Sequence, residues 1–201
     1  IETPEKTSAV KSLARALCVL ECFSVEQPEL GVSEIARMLG MQKSTVFNIL
    51  STFQDSGYVM KNPQTNKYYL GFKTLHLGYI VNQHLGLREI LLPAMSKIAE
   101  ACHEICYFGI LNNDEVLYIE AVYPPTQQAT RNILGERAPL VCTGLGKAML
   151  AFLPEGKIAQ ITSRELKAYT GYTLSDRAAL LNNLSETRTN GYAVDNMEHE
   201  F

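Results

Sequence analysis

No run of about 18 apolar residues, the length a helix needs to cross a bilayer, occurs in the 201 residues, so no membrane-spanning helix is expected. The start, IETPEKTSAVKS, is polar and lacks the apolar stretch of a secretory signal. Five cysteines, an odd number with no export signal before them, argue against a disulfide framework and for free thiols in a reducing, cytoplasmic setting. A strong excess of one charge is missing too: a net charge of −3 argues against a wholly basic nucleic-acid binder. What is present, 46% hydrophobic and 19% charged residues, is the composition of an ordinary globular protein of one or two domains.

The distribution of charge says more than the total. From Ser33 to Lys73 five cations (Arg37, Lys43, Lys61, Lys67, Lys73) stand against two anions (Glu34, Asp55), a local +3. From Thr74 to Phe201 ten cations face fourteen anions, a local −4. A mildly basic segment on an acidic body suits a two-part protein, one part of which meets phosphate.

The basic segment centres on VSEIARMLGMQKSTVFNILSTFQDSG, residues 32–57. Ile35, Ala36 and Leu39 give a first helix one apolar face, with Ser33 as its expected N-cap and Gly40 as its stop. A second helix opens at Ser44 or one residue earlier, with Val46, Ile49, Leu50 and Phe53 on one side. Gln42, Lys43, Ser44, Thr45, Asn48 and Thr52 fall on the other, and Gly57 ends it. This is the layout of a DNA-reading helix-turn-helix, although an ordinary helical hairpin shares it. Gln42, Lys43, Ser44, Thr45 and Asn48 are the expected DNA-binding residues: Gln and Asn can read base edges, and Ser44 and Thr45 near the helix start suit phosphate oxygens. Ser44 can equally serve as a cap.

Around this pair, residues 1–7 read as a disordered lead-in. A helix capped by Ser8 or Ser12 runs to about Val25, burying Leu13, Ala16, Leu17, Leu20 and Phe23 and leaving Arg15 outside. Tyr58–Met60 and Lys67–Leu70 around an Asn62–Asn66 turn form a hairpin with Lys61 and Lys67 at its tip. Three helices and a hairpin make a winged helix-turn-helix over 8–71, whose wing places cations near a backbone phosphate or minor groove. Residues 72–87 read as a linker helix and 88–201 as an α+β domain: an opening helix over 88–104, then strands over 105–111, 115–122 and 127–134. Helices are expected over 147–152, 154–161, 163–169 and 176–189 (Ser175 capping), and a last strand over 192–195. So few strands leave the sheet short, and the chain is expected to stop inside this domain.

Thr143-Gly-Leu-Gly-Lys147 fails as a phosphate loop, since Val141 stands where that pattern needs Gly and Ala148 where it needs Ser or Thr. It reads better as a tight turn whose amides, at a helix start, receive a carboxylate or similar acceptor, with Cys142 beside it. Cys18/Cys22 and Cys102/Cys106 are spaced four apart, yet a metal site wants four ligands, so small buried hydrophobes are expected and no metal or cofactor. His76, His84, His103 and His199 form no nucleophile–base constellation, so no enzyme is expected.

At this point a family resemblance is plain. SLARALCVLECF, VSEIARMLGMQKSTVFNIL and YYLG resemble the DNA-binding half of IclR-type bacterial transcription regulators. PLVCTGLGKAMLAFLP and GYAVDNMEHE resemble two signature runs of that family's effector-binding half. The resemblance implies a winged helix-turn-helix, a linker helix and a GAF-like domain that closes over a small-molecule effector, truncated here because the family continues past the Glu-His-Glu run. It places the effector against Thr143, Gly144 and Leu145, with Asp195 as a pocket acid able to accept from a ligand hydroxyl, although a turn-capping Asp fits as well. It implies homodimers through the DNA-binding half, and dimers of dimers, on a double-stranded operator. The family usually has Arg where this chain has Asn48, and Asn favours adenine where Arg favours guanine. The expected function is a transcription regulator, a repressor before an activator, controlled by a metabolite such as a carboxylate or sugar acid. The alternative is a sensor or enzyme with a helical protein-interaction appendage and no DNA binding.

Overall fold

A computed structural model of the chain describes residues 10–84, 86–128 and 133–199. The chain divides between residues 85 and 86 into two compact units. Among the described residues no helix is long and apolar enough to cross a membrane.

The first unit runs α1 (Lys11–Leu20), α2 (Val32–Leu39), α3 (Lys43–Asp55), β1 (Val59–Lys61), β2 (Tyr68–Leu70) and α4 (Phe72–His84). Its core is apolar and drawn from every element but α4: Val19, Ile35, Val46, Leu50, Val59 and Tyr68 close on one another. α2 stops where expected, because Gly40 adopts φ +62 and returns its N–H to the Ala36 carbonyl, a backbone that a side chain would strain. Its start differs from expectation. The N-cap is Gly31, not Ser33, and the Glu34 carboxylate reaches back to accept the Gly31 N–H at 2.7 Å. α3 opens at Lys43 with Gln42 as N-cap, so Ser44 lies inside the first turn and caps nothing.

α1 is shorter than expected, ending at Leu20 with Val10 as N-cap; Ser12 lies inside the helix, and Ser8 is outside the described residues. Its buried side is partly rotated: Phe23 enters the core and Leu20 packs against it as expected, but Cys18, Val19 and Cys22 are buried with them while Leu13 and Leu17 are exposed. Cysteine packs as a small hydrophobe here, and the first two leucines of the stripe that periodicity favoured are left facing outward. β1 and β2 pair antiparallel, Val59 with Leu70 and Lys61 with Tyr68, and Leu30 adds a backbone bridge to Tyr68.

The second unit runs α5 (Leu87–Cys102), β3 (Cys106–Asn112), β4 (Glu115–Val122), β5 (Arg137–Pro139), α6 (Gly144–Ala151), α7 (Glu155–Thr162) and α8 (Arg177–Asn190). The sheet is antiparallel in the order β3-β4-β5. Asn113 and Asp114, both at positive φ, make the tight β3–β4 turn that Asn and Asp tolerate. Val116, Ala138, Leu140, Leu150, Ile158, Ile161, Leu180 and Leu184 form the core between sheet and helices.

Several expectations fail in this unit. The third strand is Arg137–Pro139, not 127–134, of which 129–132 lie outside the described residues. Gln127 instead donates its amide to the His103 carbonyl at 3.1 Å, and Pro139 ends β5 at a position where an edge strand tolerates proline. No helix forms over 163–169, because the Thr173 hydroxyl takes the N–H groups of Tyr169 and Thr170 at 3.0 and 2.9 Å. α8 is capped by Asp176, which accepts from the Ala179 N–H at 2.8 Å, and not by Ser175. Residues 192–195 are irregular and pair with no strand among the described residues. Cys102 is exposed and Cys106 half-buried, so the buried-hydrophobe reading holds for Cys18 and Cys22 only.

Candidate nucleic-acid interface and effector site

α3 buries Val46 and Leu50 and turns its other side out. Gln42, Lys43, Ser44 and Asn48 are exposed together at its N-terminal half, with Thr45 partly covered. Gln42 makes no side-chain cap bond at the helix start, where the dipole favours an anion. Thr52, one turn on, is turned inward on its own helix, donating its hydroxyl to the Asn48 carbonyl at 3.0 Å. Sequence reasoning missed Phe47, which is 50% exposed between Ser44 and Asn48. The signal was available: Phe47 is a large apolar residue off the buried stripe of its own helix.

The remaining cations are not equivalent. Arg15 is exposed on α1. Lys61, at the end of β1, is exposed, with its ammonium 5.7 Å from the centre of the Tyr68 ring. Lys67 is engaged: its Nζ is 3.0 Å from Glu34 Oε1, across the gap from wing to α2. The Gly31 amide first, then Lys67, holds the Glu34 carboxyl below its usual range. The sequence offered Lys61 and Lys67 as a matched pair at the wing tip; the fold separates their roles.

In the second unit the run Thr143–Gly146 is itself the first turn of α6, not a loop before it. The Thr143 hydroxyl caps it, accepting from the Gly146 N–H at 3.0 Å and donating to the Pro139 carbonyl at 2.8 Å. Gly146 admits no side chain, since an added Cβ would lie 2.6 Å from the Pro139 oxygen. Leu145 reaches back toward β3, its Cδ1 3.6 Å from where a Gly109 Cβ would stand. Gly144 faces the C-terminal segment, with Ala193 O and Asp195 N at 3.5 and 3.6 Å from an ideal Cβ. The consecutive residues Cys142, Thr143, Gly144 and Leu145 and the sequence-distant Asp195 thus lie around one helix start. One Asp195 oxygen accepts from the Glu198 N–H at 2.7 Å, the turn-capping geometry.

Sequence reasoning passed over the strongest feature of this region. Lys147 is 0% exposed and its ammonium is ion-paired with Glu198, whose side chain is 5% exposed. The second carboxylate oxygen of Glu198 is buried without a hydrogen-bond partner among the described residues. Thr173 donates to the Glu198 carbonyl at 2.5 Å and Thr170 to the Met197 carbonyl at 2.6 Å, so side chains hold a segment that pairs with no strand among the described residues. Burial first, then the nearby carboxylates of Asp195 and Glu198, pushes the Cys142 thiol up to about 12. At neutral pH it is a protonated, unreactive group that lines the turn.

Comparison with known proteins places both units. Residues 12–63 match the IclR helix-turn-helix domain, and residues 79–201 match the model described as bacterial transcriptional regulator IclR C-terminal. The chain is 31% identical over 192 residues to the HTH-type transcriptional regulator XynR of Escherichia coli K12, covering 95% of this chain and 76% of that protein. It is 28% identical to the transcriptional repressor IclR of the same organism, covering 99% and 74%. The crystal structure of an IclR transcriptional regulator from Alicyclobacillus acidocaldarius superposes with a TM-score of 0.82 at 27% identity, covering 95% and 78%.

Proposed function

The chain belongs to the IclR family, DNA-binding transcription regulators with a C-terminal effector-binding domain, and from that premise we propose that it is a sequence-specific repressor released or strengthened by a small metabolite. The observation that carries the reading is the outward side of α3. Four polar side chains and one aromatic stand exposed on a helix whose opposite side is locked in the core. Gln42 and Asn48 read base edges, Asn48 by paired hydrogen bonds to an adenine, and Phe47 packs on a thymine methyl. Lys43, Ser44 and Thr45 take phosphate at the helix start, and Arg15 and Lys61 take flanking phosphates. Repression is favoured by the similarity to a transcriptional repressor.

The active species is a homodimer. Leu13 and Leu17 on α1 and Phe72, Leu75 and Tyr79 on α4 are large apolar side chains exposed within one unit, and apolar surface of this kind suits cover by a second copy of the chain. The effector is a small carboxylate or sugar acid received at the α6 start by Cys142, Thr143, Gly144, Leu145 and Asp195. The capping and packing around that turn support a rigid, preformed acceptor site there.

Selection from a pool of randomised duplexes tests the DNA reading. The parent chain is expected to enrich two half-sites about 10 base pairs apart, or a multiple of that spacing, as a two-fold dimer requires. Asn48→Ala is expected to lose preference at one base pair of each half-site, worth about 1–3 kcal/mol. Enrichment of the same sites by both proteins, with equal preference at every position, would remove Asn48 from the reading face.

A further inference from the structure

The anions of the DNA-binding unit are placed oddly for a surface that meets a polyanion. Glu29, just before α2, sends both carboxylate oxygens into the wing turn. Oε1 accepts from the Asn62 amide at 2.9 Å, and Oε2 accepts from the Thr65 hydroxyl at 3.1 Å. Those two partners organise the turn itself. Asn62 Oδ1 accepts the Gln64 N–H at 2.9 Å, and the Thr65 hydroxyl accepts the Lys67 N–H at 3.3 Å. Five residues on from Glu29, Glu34 repeats the pattern by joining the Gly31 amide at the start of α2 to the Lys67 ammonium on the wing. Between the two acids, Leu30 and Tyr68 exchange backbone hydrogen bonds at 2.9 and 2.8 Å. The Glu29 bonds, the Glu34–Lys67 pair and the Leu30–Tyr68 exchange all run between the 29–34 segment and the wing.

We propose that Glu29 and Glu34 are positioning residues for DNA binding: together they clasp the wing to the helix-turn-helix and so set where the exposed Lys61 stands relative to α3. On this assignment Lys67 also acts through the clasp and does not neutralise a phosphate. A two-stranded hairpin with three residues in each strand has little stability of its own, so its orientation must come from ties to its neighbours. Held at the turn by the Glu29 carboxylate and beside it, through Lys67, by the Glu34 carboxylate, the wing is presented in a single pose before any duplex arrives. Ordering cost on binding falls accordingly. The inference rests on the DNA binding of the family and not on the base contacts proposed for Asn48.

The electrostatic expectation and the clasp expectation have opposite signs, which makes the test decisive. Removing an anion from a DNA-binding unit should tighten binding through simple charge repulsion. The clasp instead predicts that Glu29→Ala weakens binding of the full chain to a mixed-sequence duplex by about tenfold at fixed salt, with Glu29→Gln intermediate, since one oxygen still accepts. Fluorescence anisotropy across a salt series separates contact from positioning. Loss of a phosphate-neutralising lysine lowers the slope of log K against log salt by about 0.9, which is expected for Lys61→Ala. Glu34→Gln and Lys67→Ala are expected to weaken binding with the slope unchanged. These groups are part-exposed, and exposed pairs contribute little to folding, so the variants should keep the parent's circular dichroism. Should Glu29→Ala lose helical signal, Thr65→Val, which removes the tie to Glu29 and the acceptor for the Lys67 N–H but no charge, is expected to weaken binding about threefold with the slope intact. Equal or tighter binding by the Glu29 variants, by Thr65→Val, or a slope lowered by about one unit in Lys67→Ala, would overturn the clasp.

Discussion

The two units solve the problem of holding an irregular segment in opposite ways. In the DNA-binding unit the core is wholly apolar, and every charge sits at its margin, where Glu29 and Glu34 tie down the wing in contact with water. In the effector-binding unit the irregular stretch that follows α8 is tied from inside. Lys147 on α6, at 0% exposure, meets Glu198, whose other oxygen is buried unpartnered among the described residues. Surface ties of the first kind are cheap to make and cheap to lose. A buried pair of the second kind costs heavily in desolvation, yields little net stability, and becomes a large penalty only when one partner is removed. What the pair specifies is the observed placement of the 192–199 segment, which brings the Glu198 carboxylate to the Lys147 ammonium.

The largest effect is therefore expected from splitting that pair. Lys147→Met should destabilise the effector-binding unit by about 3–5 kcal/mol, as a buried carboxylate is left without its cation. The double variant Lys147→Met/Glu198→Leu should recover most of the loss. Urea unfolding with hydrogen exchange resolved to each unit measures both, and peptide-resolved alkylation adds a local readout. Cys142, buried and with its thiol pushed up to about 12, should resist iodoacetamide in the parent and label in the single variant. A double variant no better than the single one would mean that the two charges are not the principal partners of one another. The matching cut in the DNA-binding unit is Leu50→Ala, a fully buried leucine between α3 and its neighbours. It should cost about 3 kcal/mol and accelerate exchange through α2 and α3. Unlike the split pair, it should have no compensating second substitution, because it removes packing and not a mismatch of charge.

The same contrast explains how far the fold and the candidate site were legible in the sequence. The helix-turn-helix could be read because its determinants are local: an apolar stripe on each helix, Gly40 at the turn, and Asn and Pro between two short strands. Where reading failed there, the reason was a competing residue of the right kind nearby. Glu34 reaches back to the Gly31 amide and removes the need for Ser33, and Cys18 and Cys22 enter the core in place of Leu13 and Leu17. In the second unit the failures share a longer-range cause. Thr173 takes the amides that a 163–169 helix would have used, and Thr170 and Thr173 hold carbonyls of a segment some 25 residues away. Neither event leaves a periodic trace. Lys147 was hidden for a related reason: a lysine in a Gly-rich turn invites comparison with phosphate loops, and its actual partner lies 51 residues on. Cys142, the Thr143 turn and Asp195 were singled out from the sequence, and the fold gathers them around the α6 start, yet the pair beneath them was not.

The smallest effect concerns a tie in the effector-binding unit built in the manner of the wing. Asp114, in the β3–β4 turn, accepts Lys157 at 2.7 Å and Arg164 at 2.9 Å, joining the turn to α7 and the stretch after it. The Lys157 hydrogen bond first, and Arg164 with it, holds the Asp114 carboxyl below its usual range against the opposing effect of partial burial. A carboxyl whose folded value is depressed contributes stability that is fully present above its unfolded value, about 3.9, and is lost as pH falls through the lower folded value. Both cations are substantially exposed, so solvent screening keeps the contribution within about 1 kcal/mol. Asp114→Asn preserves the positive-φ backbone that Asn tolerates and removes only the charge. The parent should be slightly more stable than this variant at neutral pH, and the two urea midpoints should converge as the solution is acidified below the carboxylate range. High salt should bring them together at neutral pH as well. A gap that persisted at low pH, or that ignored salt, would show that the turn is held by its hydrogen-bond geometry alone. The contrast between a water-exposed clasp and a buried pair would then have to be drawn inside the second unit as well as between the two.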